Sequence, residues 1–428
     1  MLHRHCIRAG CAILLAVEIA LLLFVTAGTH GLIVPLRQPT STDFVSFYAA
    51  GRLADAGTPH LAYDQAAHYA AEQRATEPGI DYNFFFYPPV FLLLCAILAR
   101  LPYIAAFVAF EGTTLGLYLL VARRILGEPG WGGLVPLLAF PGVFWAFGVG
   151  QNALLTAALF GAATLLVDRR QAAAGLLFGL LCYKPHFALL VPVALAAGGR
   201  WRALAAAFAA ATALCLLSLT LFGWQTWHAF LAAAGASRSV YETGHIPFTG
   251  FVTPFGAVMQ LGGTPVIALA VQAVATLAAA MLVAFVWRRS LPLPIRAATL
   301  ASATLIAVPL ALFYDLMLAA IAALWLLRAE GRYRLSDWGR AALAFLFLLT
   351  FNPRGLAAYW HLPVGPLISL SLAALVATIA LRGDATVPAA CSACLQRPGR
   401  LRMLFGIEPL RGILRSAERA SSAAGRKP

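Results

Sequence analysis

The chain has 428 residues, of which 61% are hydrophobic and only 11% are charged. This composition excludes an ordinary soluble domain, in which about 25% of residues are charged. The formal net charge of +14 comes mainly from arginines at the ends of apolar runs and in the C-terminal region. That distribution indicates membrane topology and contact with anionic membrane lipids, and it excludes a nucleic-acid partner as its explanation.

Many of the apolar runs approach the roughly 20 residues that a helix needs to cross a bilayer. They lack the short alternating segments of a membrane β-barrel. The sequence therefore predicts an all-α, polytopic transmembrane helix bundle of about 10–12 spans with both termini in the cytoplasm. We expect residues 1–382 to form this bundle and residues 383–428 to form a basic, flexible cytoplasmic tail.

The first span is predicted at about residues 11–28. Basic residues precede it as in a signal peptide, but the apolar run is longer than a typical signal core and has no clear cleavage site, so we expect an uncleaved span. Glu18 lies near its middle. This residue is either a functional intramembrane acid or a protonated carboxyl bonded to a neighbouring helix, and the sequence favours neither.

The long polar interval at residues 30–83 is the segment best suited to chemistry, because it concentrates charged and histidine side chains between two apolar spans. These side chains are Asp43, Arg52, Asp55, His60, Asp64, His68, Glu72 and Arg74. An apolar stripe at helical spacing predicts an amphipathic helix on the membrane surface. The stripe consists of Phe44, Phe47, Tyr48 and Gly51. A second surface helix is predicted at about residues 62–75.

The apolar stretch at residues 86–121 is too long for one span, and Arg100 with Pro102 divides it. Two spans are therefore expected. They would put Arg123 and Arg124 on the exterior, against the positive-inside rule. The sequence leaves that conflict open.

Two later apolar runs meet at Gly150-Gln151-Asn152, which predicts a helical hairpin with a polar, exterior hinge. The next apolar stretch is interrupted by Lys184-Pro185-His186. Each half has about a dozen residues, or about 18 Å of helix, which is less than the roughly 30 Å of a hydrocarbon core. Broken helices of this kind occur where they line a cavity or are buried in protein. We therefore expect Lys184 deep in a cavity.

The remaining spans are separated by a second polar interval at residues 223–263, by the junction Phe313-Tyr314-Asp315 and by the segment Asn352-Pro353-Arg354. Four arginines after the junction mark a cytoplasmic loop. These are Arg328, Arg332, Arg334 and Arg340. In the tail, Cys391 and Cys394 form a single C-x-x-C without a second pair or a partnering histidine, so no metal or redox site is expected there.

Asp43 is the first candidate catalytic residue. It stands at the start of the amphipathic helix, at the exterior mouth of the expected cavity. A carboxylate there can act as a general base toward a sugar or lipid hydroxyl. The same position, after Ser41 and Thr42, also suits a helix N-cap. Spacing alone favours the cap.

Lys184 is the best candidate for an anion site, because an ammonium group in an apolar stretch needs a counter-charge. A phosphate, Glu18 or Asp315 could supply it. Tyr183 and His186 could add hydrogen bonds, although a lone histidine is more often structural.

Arg354 and His361 form a second cationic group, in which the arginine suits either bidentate phosphate binding or anchoring at the membrane interface. No P-loop or other nucleotide-hydrolysing motif is present in the sequence, and nucleotide hydrolysis is therefore not expected.

Four elements, in order between Asp43 and Arg202, carry a family resemblance. They are DFVSFYAAGRLADAG at 43–57, FFFYPPVF at 84–91, the Gly150-Gln151-Asn152 turn, and AGLLFGLLCYKPHFALLVPVAL at 174–195 followed by GGRWRAL. Together they resemble the polyprenol-phosphate-sugar-dependent membrane glycosyltransferases of the GT-C superfamily, most closely glycosyltransferase family 87. The later region agrees with that family only in hydropathy and in the Phe-Tyr-Asp junction.

The resemblance implies an inverting, mannosyltransferase-like hexosyltransferase. Its partners would be a polyprenyl-phosphate-linked sugar donor, a lipid or glycan acceptor, and membrane lipids. The reaction would take place at the exterior or periplasmic face of the cell (inner) membrane. The leaving group, a lipid phosphate, needs no nucleotide and the chain has no carboxylate cluster, so no cofactor and no metal are expected.

The resemblance also assigns roles to individual residues. The catalytic Asp of the family's first loop corresponds to Asp43 in this sequence. The resemblance therefore favours Asp43 as a catalytic base, which can also cap the helix, over Asp43 as a helix cap alone. The family's Lys-Pro region falls on Lys184-Pro185, which implies donor-phosphate binding by Lys184, with His186 and Arg354. Residues expected to line the substrate cavity are Arg52, Tyr87, Gln151, Asn152, Tyr314 and Asp315.

Two other classes of protein are left open by the residues alone. A transporter or lipid flippase would use Glu18, Lys184 and Asp315 as intramembrane charges. It would predict discontinuous helices at corresponding positions in two halves of the chain, and the sequence has only one such break. A non-catalytic assembly protein would leave the first loop without a polar-lined cavity.

Overall fold

The computed structural model describes part of the chain, namely residues 2–27, 43–127, 133–242, 244, 246–289 and 291–382. The chain divides into a unit of residues 1–381 and a unit of residues 382–428. The description below concerns the first of these. The predicted tail and its C-x-x-C lie outside the described residues.

The described residues form α-helices joined by turns and short 3₁₀ segments, because a helix satisfies its backbone hydrogen bonds without help from water. In chain order the helices are α1 Leu2–Ala27, α2 Phe44–Asp55, α3 Gln65–Ala75, α4 Pro89–Leu98, α5 Tyr103–Leu126, α6 Leu134–Leu138, α7 Pro141–Val149, α8 Ala153–Leu166, α9 Gln171–Leu180, α10 Val191–Ala197, α11 Trp201–Glu242, α12 Pro254–Gln260, α13 Pro265–Arg288, α14 Leu293–Ala307, α15 Met317–Arg328, α16 Asp337–Leu349, α17 Pro353–Trp360 and α18 Val364–Arg382. The predicted all-α membrane bundle is confirmed.

Four of these helices are long and apolar enough to cross a bilayer, namely α5, the first 35 residues of α11, α13 and α18. Helices α16 and α17 make a fifth candidate if they are counted as one span, with a bend of 84° between them. Apolar helices of 10–17 residues stand where the sequence predicted several full spans. Proline and glycine divide these apolar runs, so the number of long spans is smaller than the predicted ten to twelve.

Helices α5, α8 and α15 start at one end of the bundle and run toward the other. Gly150, just before α8, packs against Phe44 and Phe107 near the start of α5. Gly161, within α8, packs against Ile125 near the end of α5. We call the end that holds α2, α3 and α4 the first-loop end.

The opposite end is rich in arginine, and we call it the basic end. There Arg328, at the end of α15, donates hydrogen bonds of 2.8 and 2.7 Å to the carbonyls of Arg124 and Ile125. Helix termini and connections at the basic end carry Arg123, Arg124, Arg169, Arg170, Arg200, Arg202, Arg288, Arg289, Arg296 and Arg328.

Helix α2 is buried, since nine of its twelve residues are shielded from solvent. It packs so closely on α4 that a Cβ on Gly51 would lie 2.1 Å from the carbonyl oxygen of Cys95. The predicted helix is therefore present, but it lies inside the protein rather than flat on a membrane surface. Its aromatic residues explain this burial, because the Phe44 ring packs against those of Tyr103 and Phe107, with ring centroids 5.5 Å apart in each pair.

Helix α4 has only ten residues and packs on α2, so it belongs to the layer at the first-loop end. The two predicted spans at 86–121 are thus one short helix and one long helix, divided at Arg100 and Pro102 as expected. Of these two helices, only α5 runs from the first-loop end to the basic end, where Arg123 and Arg124 lie in its last turn.

Helix α9 leads into the broken segment at Lys184, and glycines fix its position against α11. A Cβ added to Gly175 would lie 2.1 Å from the carbonyl oxygen of Ala203, and one added to Gly179 would lie 2.5 Å from that of Ala207. Small residues at this spacing let two helix backbones approach closely.

Candidate active site

A cavity of about 440 Å³ opens at the first-loop end. This volume is within the range of small-ligand sites, roughly 300–1,000 Å³. Eight of the residues that the sequence proposed for the site line it together. They are Asp43, Tyr87, Gln151, Lys184, His186, Tyr314, Asp315 and Arg354. The structure thus brings side chains from six separate parts of the chain to one cavity.

Asp43 stands immediately before α2, and its backbone N–H donates a 2.8 Å hydrogen bond to the carbonyl of Val149. Its carboxylate makes no capping hydrogen bond to the helix. Instead, it accepts a 2.6 Å hydrogen bond from the side-chain amide of Gln151. The Gln151 carbonyl oxygen in turn accepts a 3.1 Å bond from the Tyr87 hydroxyl. This chain of bonds orients the Asp43 carboxylate toward the cavity rather than toward the helix backbone.

Burial raises the pKa of Asp43 above the usual value for an aspartate. The hydrogen bond from Gln151 and the positive charges of Lys184 and Arg354 act in the opposite direction without cancelling the effect of burial. A carboxylate with a raised pKa is a better proton acceptor near neutral pH. The environment of Asp43 therefore suits general base chemistry.

Lys184 lies between the 3₁₀ turns Leu181–Tyr183 and Pro185–Ala188, as the predicted broken helix requires. Its ammonium group is 2.9 Å from Oδ1 of Asp315, and both side chains are only 5% exposed. The other carboxylate oxygen of Asp315 accepts a 3.0 Å bond from the backbone N–H of Leu312. Of the two intramolecular counter-charges that the sequence suggested for Lys184, the structure places Asp315 beside it.

Three further predicted residues lie around this pair. His186 lines the cavity, and the Tyr183 hydroxyl is 2.6 Å from that of Thr156. Arg354 lies in the first turn of α17, after a bend at which Trp145 donates a 2.8 Å bond to the carbonyl of Phe351. The bend turns α17 so that Arg354 reaches the same cavity as Lys184.

Two residues expected to line the cavity lie elsewhere. Asn152 is fully buried at the start of α8. Arg52 belongs to a separate pocket with Arg74 and Arg100. His361, at the end of α17, is exposed in a left-handed conformation with φ 54°, and it is not among the residues that line the cavity.

Glu18 is buried on α1 and is not among the residues that line the cavity. Within the described ranges, no group of three or more His, Cys, Asp or Glu side chains is arranged to hold a metal ion.

The buried pair His68 and Glu72 was not predicted from the sequence, in which these residues are grouped with the other charges of the first loop. The pair lies behind the cavity wall, with its nearest ring nitrogen and carboxyl oxygen 3.7 Å apart. His68 lies 3.1 Å from the carbonyl of Ser46 in α2, and Glu72 accepts a 3.1 Å bond from the backbone of Asn83. Ser46 and Asn83 both line the cavity, so the pair links two parts of its wall.

Burial raises the pKa of Glu72 to about 8 and lowers the pKa of His68 to about 4. Both side chains are therefore uncharged near pH 7. A neutral pair avoids the cost of burying an unbalanced charge. No local sequence pattern distinguishes such a pair from two solvated loop residues.

Comparison with known protein families gives one significant result. A sequence model of glycosyltransferase family 87 matches residues 85–312, which is more than half of the chain. The matched segment includes Tyr87, Gln151 and Lys184 of the cavity. No curated protein and no solved structure matches the chain significantly.

Proposed function

The chain belongs to glycosyltransferase family 87, and from that membership we propose that it transfers a hexose from a polyprenyl-phosphate donor to a lipid or glycan acceptor with inversion at the anomeric carbon. That the protein is a glycosyltransferase follows from the family. The choice of donor, the stereochemistry and the residue roles are our proposal. The observation that carries it is that Asp43, Lys184 and Arg354 line one cavity.

In the proposed reaction the acceptor hydroxyl loses its proton to Asp43 and attacks the anomeric carbon from the side opposite the phosphate. The bond between the anomeric carbon and the phosphate oxygen breaks, and its electron pair leaves with the lipid phosphate. Lys184 and Arg354 stabilise the negative charge that develops on this phosphate. One displacement inverts the anomeric centre.

The pairing of Lys184 with Asp315 is compatible with phosphate binding. An ammonium group has three donor hydrogens, and one of them serves Asp315 at 2.9 Å. The ion pair holds the lysine side chain in place at the cavity wall, and the other two hydrogens remain available to a phosphate oxygen. His186 lies close enough to Lys184 to line the same cavity and completes the proposed phosphate site.

We propose that the cavity opens on the exterior, periplasmic side of the cell membrane. The positive-inside rule assigns the basic end to the cytoplasm, and the cavity lies at the opposite, first-loop end. The short helix α4 supports this orientation. With α4 in the exterior layer, α5 returns to the cytoplasm and its terminal Arg123 and Arg124 obey the rule.

The transporter alternative used Glu18, Lys184 and Asp315 as intramembrane charges. Lys184 and Asp315 instead neutralise each other at the cavity wall. The family assignment also favours an enzyme.

The proposal is tested by reconstituting the purified protein in liposomes with a panel of polyprenyl-phosphate hexoses and scoring transfer to lipid or glycan acceptors. We expect Asp43→Asn to lower the rate of transfer by about 10²–10⁴-fold, the usual contribution of a general base. Asp81→Asn is the matched control, because Asp81 is an exposed aspartate of the same loop. Full activity of folded Asp43→Asn would refute the base assignment. Failure of the native protein to use any polyprenyl-phosphate donor would refute the donor class.

A further inference from the structure

A second pocket, of about 660 Å³, lies on the first-loop end beside α2. Its walls come from α2, α3 and the turn between α4 and α5. Three arginines line it, namely Arg52, Arg74 and Arg100, together with Tyr48 and Tyr103. We propose that this pocket binds the phosphate of an anionic phospholipid.

The charge of the pocket supports an anionic ligand. None of its lining residues is acidic. Nε of Arg100 lies 3.7 Å from Oδ1 of Asp55, which is not one of the lining residues. The Arg100 side chain nevertheless remains 72% exposed. Within the described part of the chain, Arg52 donates a single, long hydrogen bond of 3.4 Å, to the carbonyl of Ala99. Arginine presents a planar fork of donors that matches phosphate oxygens.

The position of the arginines is informative because it departs from the pattern of the rest of the molecule. Most described arginines lie at the basic end, whereas these three surround a single pocket at the first-loop end. If they served only to set topology, they would be expected on the other side of the membrane. Their arrangement around a concavity is therefore better explained by a ligand.

The surface next to the pocket is apolar and exposed, which favours a lipid over a soluble anion. Ile97, Leu101 and Ile104 are 61%, 41% and 59% exposed. Leu101 itself lines the pocket, and the other two lie on the α4–α5 hairpin on either side of it. A phospholipid can place its phosphate among the arginines and its acyl chains along these aliphatic side chains.

The pocket is distinct from the catalytic cavity, although α2 contributes to both. Asp43, Ser46 and Phe47 line the cavity, whereas Tyr48, Arg52 and Leu53 line the pocket. Tyr103 at the rim of the pocket contacts Phe44, with ring centroids 5.5 Å apart. A bound lipid would therefore brace the helix that carries Asp43. The lipid-binding proposal does not depend on the proposed transfer reaction.

The test is a binding titration of the full-length protein in detergent, followed by native mass spectrometry. The probes are dioctanoyl-phosphatidylglycerol, dioctanoyl-phosphatidylcholine and inorganic phosphate. We expect the native protein to bind phosphatidylglycerol most tightly. The Arg52→Gln/Arg74→Gln/Arg100→Gln variant should bind it on the order of a hundredfold more weakly, because each arginine near a lipid surface contributes to affinity and the contributions multiply.

Two further variants keep the result interpretable. Arg74→Gln alone removes one exposed arginine and is expected to weaken binding about fivefold, even if the triple variant fails to fold. Arg169→Gln/Arg170→Gln/Arg202→Gln removes three exposed arginines from the basic end and should leave the affinity unchanged. Equal loss in this control, unchanged affinity in both pocket variants, or equal binding of the two lipids would overturn the proposal. Binding of inorganic phosphate as tight as that of phosphatidylglycerol would overturn the assignment to a lipid.

Discussion

The two ends of the bundle each hold a group of acidic and basic side chains, but they use charge differently. At the basic end, the Asp168 carboxylate accepts bonds from Arg200 and from Arg296, with shortest distances of 2.7 and 2.5 Å. At the first-loop end, the Asp43 carboxylate is bonded to the neutral amide of Gln151, while Lys184 gives one donor to Asp315.

The difference separates charges that hold helices together from charges that remain available to a ligand. Burial acts to raise the pKa of Asp168, but the hydrogen bonds and positive charges of Arg296 and Arg200 outweigh it and lower that pKa. The same bonds link the α8–α9 connection to α11 and α14. At the cavity, hydrogen bonds hold Asp43 and Lys184 in place. Among the described residues, these bonds do not use all the hydrogen-bonding capacity of either side chain. Substitutions at the basic end should therefore change stability without changing chemistry, whereas those at the cavity should change chemistry.

The largest effect is expected for Lys184→Met. This variant should abolish transfer and also leave Asp315 buried without its partner, at a cost of about 3–5 kcal/mol of stability. The double variant Lys184→Met/Asp315→Leu should recover most of the stability, because two apolar side chains can replace a buried ion pair, but it should remain inactive. Thermal unfolding in detergent and the transfer assay measure the two effects separately. A double variant with native activity would exclude Lys184 from the reaction.

Arg296→Met is the corresponding test at the basic end. It should lower stability by about 1–3 kcal/mol, because hydrogen bonds to a charged group are lost, and leave the rate of transfer per folded molecule unchanged. Arg202→Met, at an exposed position of the same end, should change neither quantity. A drop in turnover for folded Arg296→Met would mean that the basic end influences the chemistry.

Gln151→Ala should lower kcat/KM by about tenfold, since one charge-assisted hydrogen bond is worth about 1.5 kcal/mol. The Gln151 hydrogen bond lowers the pKa of Asp43, so its removal should raise that pKa further. The acidic limb of the pH–rate profile should then move to higher pH. Gln65→Ala, at an exposed position of the first loop, is the control. A rate loss without any movement of the acidic limb would indicate that Gln151 acts on the fold rather than on Asp43.

Glu72→Gln should have the smallest effect on transfer, because it leaves the rate unchanged and alters only the pH dependence of stability. The pKa of Glu72 is raised from 4.5 to about 8 in the folded protein, so its contribution to stability is complete below about pH 4.5 and disappears as the pH rises through 8. The native protein should lose stability relative to Glu72→Gln as the pH rises from 4.5 to 8, and the part of this loss between pH 6.5 and 8 contains no contribution from His68. Thermal unfolding at several pH values measures this difference.

His68, which faces Glu72, has a lowered pKa of about 4, and its contribution changes in the opposite sense at acidic pH. Measurements above pH 6.5 therefore isolate Glu72. Parallel stability curves for the native protein and Glu72→Gln would show that Glu72 is ionised throughout this range.

Much of the architecture could be predicted from local patterns. The broken segment around Lys184, the hinge at Gly150 and the helix after Asp43 each follow from residues adjacent in the sequence, and the structure contains all three. The pairing of Lys184 with Asp315 was one of three alternatives. A lysine in an apolar stretch needs a counter-charge, but the sequence does not identify the group that supplies it.

Contacts between distant residues could not be predicted. Asp43 and Gln151 are 108 positions apart, and nothing in one sequence measures that distance in space. Hydropathy also cannot distinguish a ten-residue helix that packs on α2 from part of a full membrane span. For this reason α4 was predicted to cross the membrane. Arg52, on α2, lines a different pocket from the predicted substrate cavity, because one sequence does not show which loop residues lie together.

The two glycines of α9 have a consequence for how the active site could change over time. Because Gly175 and Gly179 leave no room for a methyl group against α11, α9 cannot slide or rotate without losing its fit. Lys184 follows this helix after one 3₁₀ turn, so its position depends on a contact more than one helical turn away. New substrate preferences would arise more readily by exchanging side chains on the opposite cavity wall than by moving the lysine.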